Sequence, residues 1–157
     1  MPVWSRIAAV CTALLSVGCS TKPPPDVTVV SDFQLPRYLG NWYEIARLNH
    51  PFEQGLDHVT AHYSMREDGG VKVVNRGFNT EKHQWKESIG KAYFVQSPNV
   101  ASLKVSFFGP FYGGYNVIEL DSEYRYALIC GPNKNYLWIL ARTPTLDNDV
   151  KQKLLAT

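Results

Sequence analysis

From Gly40 onward the chain repeats one pattern: short runs of alternating apolar and polar residues, each closed by turn-forming residues. A period of two places successive side chains on opposite faces of a strand. Residues 42–48 start the series. In residues 56–66, Val59, Ala61, Tyr63 and Met65 alternate with Thr60, His62 and Ser64. Asp68-Gly69-Gly70 follows, a sequence that accepts positive φ in a hairpin turn. Residues 71–78 return, and residues 85–96 make a further run that ends at Ser97-Pro98-Asn99. Residues 101–108 alternate through Leu103, Val105 and Phe107, and residues 109–114 break that run with Gly109, Pro110, Gly113 and Gly114. Residues 115–120, 124–130 and 136–142 complete eight strands. Short links suit antiparallel neighbours, and eight strands in meander order can close on themselves and so lose their edges. Residues 147–156 read as a helix, with acidic residues at its start and Val150, Leu154 and Leu155 near one face. The expected fold is all-β: an eight-stranded antiparallel up-and-down barrel with a C-terminal helix packed outside.

The first eighteen residues read as an export signal rather than as fold. Arg6 precedes the apolar residues 7–17, a stretch too short to span a bilayer. Leu15-Ser16-Val17-Gly18-Cys19 places small residues before a cysteine, as a lipoprotein signal peptidase requires. Cleavage there would leave an acylated Cys19 as the new N-terminus. An ordinary signal peptide with a chance cysteine is the alternative. Several acyl chains on one cysteine anchor a protein stably. Residues 19–30, with Pro23-Pro24-Pro25, are then the lipid anchor and a semi-rigid tether, and residues 31–157 are the barrel domain. Cys130 would be the one thiol left, expected as a small buried hydrophobe.

Sixteen Lys and Arg against fourteen Asp and Glu give a net charge of +2, which offers no basic footprint for nucleic acid. Four Trp, nine Tyr and seven Phe exclude disorder as the main state. Catalytic signals are absent. His50, His58, His62 and His83 are the histidines, and His58 and His62 would lie ~13 Å apart along one strand, too far to share a metal ion. No cysteine pair has zinc spacing, and no Gly-x-Ser-x-Gly or phosphate-cradling loop occurs. No metal and no cofactor are expected.

Three sites bring in a family. Gly40-Asn41-Trp42-Tyr43-Glu44 opens the first strand, Asp121-Ser122-Glu123-Tyr124 sits at the sixth turn, and Arg142 ends the eighth strand. Together they resemble the lipocalin signatures, Gly-x-Trp, Asp-x-x-Tyr and a late Arg. Residues 37–47 and 103–115 are similar, over longer stretches, to bacterial outer-membrane lipocalin lipoproteins, and Ser20 resembles the residue that sorts such lipoproteins to the outer membrane. The resemblance implies a membrane-anchored protein that binds fatty acids or lysophospholipids, stores or transports them for envelope maintenance under stress, and forms a homodimer. It implies no enzyme. Members continue past this helix into a longer helix and a final strand, so the sequence to Thr157 is expected to omit those elements, either by truncation or because they are dispensable.

Meander parity assigns the ends. Alternate turns lie at opposite ends, so Gly40, Trp42, Asp121, Tyr124 and Arg142 should meet, with the Arg142 guanidinium stacked on the Trp42 indole to close the barrel. The other end should gather Phe52, Leu56, Trp85, Phe108, Phe111, Tyr112 and Trp138. An aromatic mouth suits the passage of a greasy ligand, and turn packing, a dimer contact or membrane contact are alternatives. If Trp42 faces inward, so do Glu44, Ala46 and Leu48, and alternation adds Tyr63, Met65, Asn75, Phe94, Val105 and Phe107. Ala46, Tyr63, Asn75, Phe94, Val105, Phe107, Phe111, Tyr115 and Trp138 are therefore the candidate cavity and mouth residues. In the last two strands both faces are apolar, which leaves their phase open. Three functional readings follow: reversible lipid binding, a lipid-modifying barrel enzyme with Glu44 as base, and a structural lipoprotein with a filled barrel.

Overall fold

The computed structural model describes residues 21–49 and 51–157; the proposed signal and Cys19 lie outside them. A short helix α1 (Leu35–Tyr38) precedes the strands β1 (Gly40–Arg47), β2 (Leu56–Met65), β3 (Val71–Asn79), β4 (Gln84–Phe94), β5 (Ser102–Phe108), β6 (Phe111–Leu120), β7 (Tyr126–Cys130) and β8 (Leu137–Ala141). A 3-10 turn (Pro51–Glu53) links β1 to β2, and helix α2 (Asn148–Leu155) ends the chain. The strands pair in sequence order and β8 pairs back onto β1, so the sheet is a closed antiparallel barrel. Closure leaves no ladder edge for another chain to extend.

The register fixes what each face carries. Inside lie Trp42, Ala61, Tyr63, Val73, Ala92, Leu103, Val117, Ala127, Ile129 and Leu140, in one cluster. Outside, Leu128 and Ile139 meet Leu154 of α2. The phase left open in the last two strands is thereby decided: Ala127, Ile129, Trp138 and Leu140 face inward, and Leu128 and Ile139 face the helix. Asp147 caps α2 by accepting hydrogen bonds from the backbone N–H groups of Asp149 (2.9 Å) and Val150 (3.4 Å). Leu155, expected on the packed face, is exposed, because it sits about a quarter turn round from Leu154.

β6 begins at Phe111, four residues before the expected start, and only Gly109-Pro110 separate it from β5. Gly113 and Gly114 argue against a strand by propensity, but pairing with β5 overrides that. Glycine is also required in β4: a Cβ at Gly90 would come within 2.7 Å of the Ser106 carbonyl oxygen and 2.8 Å of the Phe107 ring. The expected tether is shorter than residues 19–30. Asp26 forms an ion pair with Lys134, Val29 and Val30 pack against the inner cluster, and Val30 exchanges backbone hydrogen bonds with Ala101 and Val117 at 2.9 Å.

The outer cluster makes a stability prediction. Leu154→Ala should cost about 2–4 kcal/mol, seen as a lower urea midpoint with the β-sheet circular dichroism retained. A loss under about 0.5 kcal/mol would show that α2 does not clamp β7 and β8.

Candidate functional site

Side-chain chemistry closes one end. The Arg142 guanidinium lies 3.9 Å over the Trp42 ring. It donates from Nη1 to the carbonyls of Leu39 (3.0 Å) and Asn41 (2.9 Å), from Nη2 to that of Arg37 (2.7 Å), and from Nε to that of Tyr124 (3.2 Å). Gly40, at φ +95°, lets the chain turn beneath it; a Cβ there would sit 3.5 Å from Nη1 and would be strained by the backbone alone. The Trp42 indole N–H donates to the Tyr38 carbonyl at 2.8 Å. Asp121 accepts from the backbone N (3.1 Å), Nε (2.7 Å) and Nη2 (3.1 Å) of Arg125, which hold its carboxyl below the usual range. The Tyr124 hydroxyl accepts from the Gln34 N–H at 2.9 Å, and Arg37 lies 4.2 Å over its ring. Gly40, Trp42, Asp121, Tyr124 and Arg142 thus occupy one end, where they are structural.

Above this plug three phenols meet. The Tyr115 hydroxyl is 2.6 Å from that of Tyr38 and 2.9 Å from that of Tyr63. Burial raises the pKa of all three phenols, that of Tyr63 to about 12, so the trio stays neutral. Three hydroxyl protons serve the two bonds among these phenols, so one hydroxyl proton is not used within the trio. Three expected cavity residues belong to this floor, and Tyr115 is the centre of its phenol trio. Tyr63 is buried in it, and Phe94 lies at the closed end against Phe33, with ring centroids 6.1 Å apart.

A second polar group lies nearer the mouth. β1 carries a bulge between Glu44 and Ala46, where Glu44 pairs with Leu140 but Ala46 pairs with Ile139. The bulge reverses the alternation. Ala46, expected inward, therefore packs outside with Ile45 against the α2 cluster, and Arg47 takes the inward place. Leu48 and Met65, also expected inward, are exposed. Arg47 donates to Glu44 Oε1 at 2.7 Å and to the carbonyls of Glu53 (2.7 Å) and Leu56 (3.0 Å). The Trp138 indole donates to Glu53 Oε2 at 3.0 Å. Glu44 is buried, and desolvation first, then the neighbouring Glu53 carboxylate, push it up to about 8 against the opposing pull of Arg47. The cluster thus sets two carboxyls around one guanidinium, and Glu44 keeps its proton to a higher pH than an ordinary carboxyl does.

Between floor and mouth the wall is apolar and open. Val105, Phe107 and Trp138 pack on the inner cluster yet are only partly buried. Asn75, paired with Ala61, faces the same interior and is partly buried. Gly113 pairs with Val105 and so faces inward, and a Cβ there would meet nothing within 4 Å. An inward side chain that keeps exposure inside a closed barrel borders open space. Phe111 stands at the mouth, 76% exposed, beside Phe108 at 80%. Sequence reasoning missed Arg47 and Glu53, because both depend on the bulge and on the 3-10 turn, which no periodicity announces. Among the described residues, no group of three or more His, Cys, Asp or Glu could hold a metal ion.

Comparison with known proteins agrees with this architecture. Residues 33–157 match the lipocalin-like domain family. The chain is 60% identical over 157 residues to the Outer membrane lipoprotein Blc of Citrobacter freundii, covering 99% of this chain and 89% of the relative. It is 56% identical to the Outer membrane lipoprotein Blc of Vibrio cholerae, covering 92% and 84%. Among solved structures, insecticyanin from the tobacco hornworm Manduca sexta superposes with a TM-score of 0.66 at 22% identity, over 84% of this chain and 77% of that one. The chain belongs to the lipocalin family.

Glu44 sets a pH dependence. Its folded-state value of about 8 lies above the ordinary 4.5, so the folded protein binds this proton more tightly than the unfolded chain does. The corresponding stability is intact below the unfolded value and is lost as pH rises through about 8. Thermal midpoints of the wild type should therefore fall between pH 5 and pH 8, and Glu44→Gln should flatten that fall. Equal slopes in the two proteins would remove Glu44 as the cause.

Proposed function

We propose that the protein binds an amphipathic lipid, a fatty acid or lysophospholipid, reversibly in its lumen, and stores or carries it for envelope maintenance. The observation that supports this best is the open apolar wall: Val105, Phe107 and Trp138 only partly buried inside a closed barrel, with empty space at Gly113. Each methylene moved from water into such a lumen contributes ~0.8 kcal/mol. An acyl chain would lie along that wall. Glu44, Arg47 and the phenol trio would meet its polar atoms. The names of the relatives support an outer-membrane location, with acylated Cys19 as the anchor.

Glu44 is also the observation that favours the enzymatic reading, since a carboxyl held protonated near neutral pH can act as a general acid. The ion-pair contact with Arg47 favours a fixed, ligand-orienting role instead. Lipid-ester turnover that disappears in Glu44→Gln would establish the enzyme.

Gly113→Leu tests binding. The new side chain enters empty lumen, so folding should be kept, with a thermal midpoint within a few degrees of wild type. Affinity for a fatty acid or lysophospholipid, followed by tryptophan fluorescence, should drop at least tenfold. Unchanged affinity would place the ligand elsewhere, and no binding by the wild type would leave the barrel a structural one.

A further inference from the structure

The N-terminal segment runs along the barrel from one end to the other. Asp26 pairs with Lys134 in the β7–β8 loop, at the mouth. Val30 hydrogen-bonds to Val117 and Ala101, and the Phe33 N–H donates to the Asn99 carbonyl at 2.9 Å, in the β4–β5 turn at the closed end. α1 then delivers Tyr38 and Gly40 to the plug. The chain upstream of Asp26 therefore leaves at the mouth. Cys19 stands seven residues before Asp26, and seven residues of polyproline-type chain reach at most ~22 Å. An acyl anchor on Cys19 holds the open end, not the closed one, close to the bilayer.

The same end carries an apolar finger. Asn116 pairs with Cys130, the last residue of β7, whereas the β5–β6 hairpin continues to Phe111, ~17 Å further along the strand. Its tip is Phe108-Gly109-Pro110-Phe111, without a charge, and both phenylalanines are exposed to three quarters or more. Fully burying one such ring contributes ~1.5–3 kcal/mol. Beside it, on the outer face of β3–β4, Trp85 and Ile89 are 52% and 56% exposed. At that hairpin end Arg76, which lies 4.2 Å over the Trp85 ring, Lys82 and Lys86 stand against Glu81 and Glu87, so one net positive charge remains and attraction to a charged surface is a minor part of what this end offers.

We propose that the protein sits mouth-down on its own membrane, with Phe108 and Phe111 inserted among the lipids beside the acyl anchor. A lipid could then pass between bilayer and lumen without crossing bulk water. That transfer step rests on the lipid-binding reading above; the insertion does not. A second copy of this chain over the finger is the competing occupant.

The test uses the full mature, acylated protein in phosphatidylethanolamine–phosphatidylglycerol vesicles whose acyl chains carry bromine. An environment-sensitive fluorophore is attached through Phe111→Cys, and in a second sample through Glu67→Cys in the β2–β3 turn at the closed end. The label at position 111 should be quenched by the brominated chains and the label at position 67 should not, with little change between low and high salt. Quenching at position 67, or at neither position, overturns the orientation. Cross-linking of position 111 to position 111 of another molecule, without bromine quenching, assigns the finger to a dimer and also overturns it. In the unlabelled protein, the rate of fluorescent fatty-acid transfer should rise with vesicle concentration, and Phe108→Ser with Phe111→Ser should abolish that dependence. Quenching at position 111 in a protein that binds no lipid would keep the insertion and sink the lipid reading. Lipid binding without quenching would do the reverse.

Discussion

The Arg142 guanidinium holds the molecule's function in place because it closes one end of the barrel. Stacked on Trp42, it spends its donors on four backbone carbonyls from α1, its following residues, β1 and the β6–β7 turn. Lysine could supply the charge but not this planar fork with donors along several edges. With that end sealed, the lumen has one way in. The phenol trio becomes a floor, and the aromatic finger becomes a rim. Burial lowers the pKa of Arg142, yet the ordinary value is so high that the group stays charged and the stack persists.

The bulge in β1 is the second constraint, and it converts a structural strand into a polar subsite. Without it, Ala46 would face inward and Arg47 outward, and Glu44 would be buried with no cation beside it. One extra residue sends Ile45 and Ala46 together to the α2 side and turns Arg47 back toward Glu44 and Glu53. The same irregularity thus seats the helix outside and pairs the carboxyls inside. A buried carboxyl is tolerable only when protonated or paired, and here Arg47 pairs with both acids while Glu44 holds its proton more tightly than an ordinary carboxyl does.

Strands with clean alternation were legible in the sequence, and their number and order were enough to predict closure. The meeting of Gly40, Trp42, Asp121, Tyr124 and Arg142 followed from turn parity alone, since each position lies at the same end of a meander. Where alternation failed, legibility failed with it. Ala46 was misplaced because a bulge leaves no trace in an apolar run. Phe111 through Gly114 looked like a break because strand propensity is decided by cross-strand partners, which single residues do not reveal. Tyr63 and Phe94 were placed on the right face but at the wrong height, as parity gives direction and not depth. Arg47 and Glu53 were invisible as a pair because one sits on a bulge and the other on a one-turn helix.

The N-terminal segment links these features in a way that domain boundaries drawn by composition obscure. Its prolines suggested a spacer up to residue 30, yet from Asp26 it is part of the wall. It contributes Phe33 and Tyr38 to the core and one of the three phenols to the floor. The stretch that would bear the anchor is therefore continuous with the stretch that plugs the barrel. Pulling on the anchor would load the Asp26–Lys134 pair first, then the Val30 hydrogen bonds, and only then the plug. An exposed ion pair contributes little and yields easily. The buried floor does not, because opening it would expose Phe33, Tyr38 and Trp42 together. Distance from the membrane can thus vary at the outer contacts while the floor of the site stays fixed.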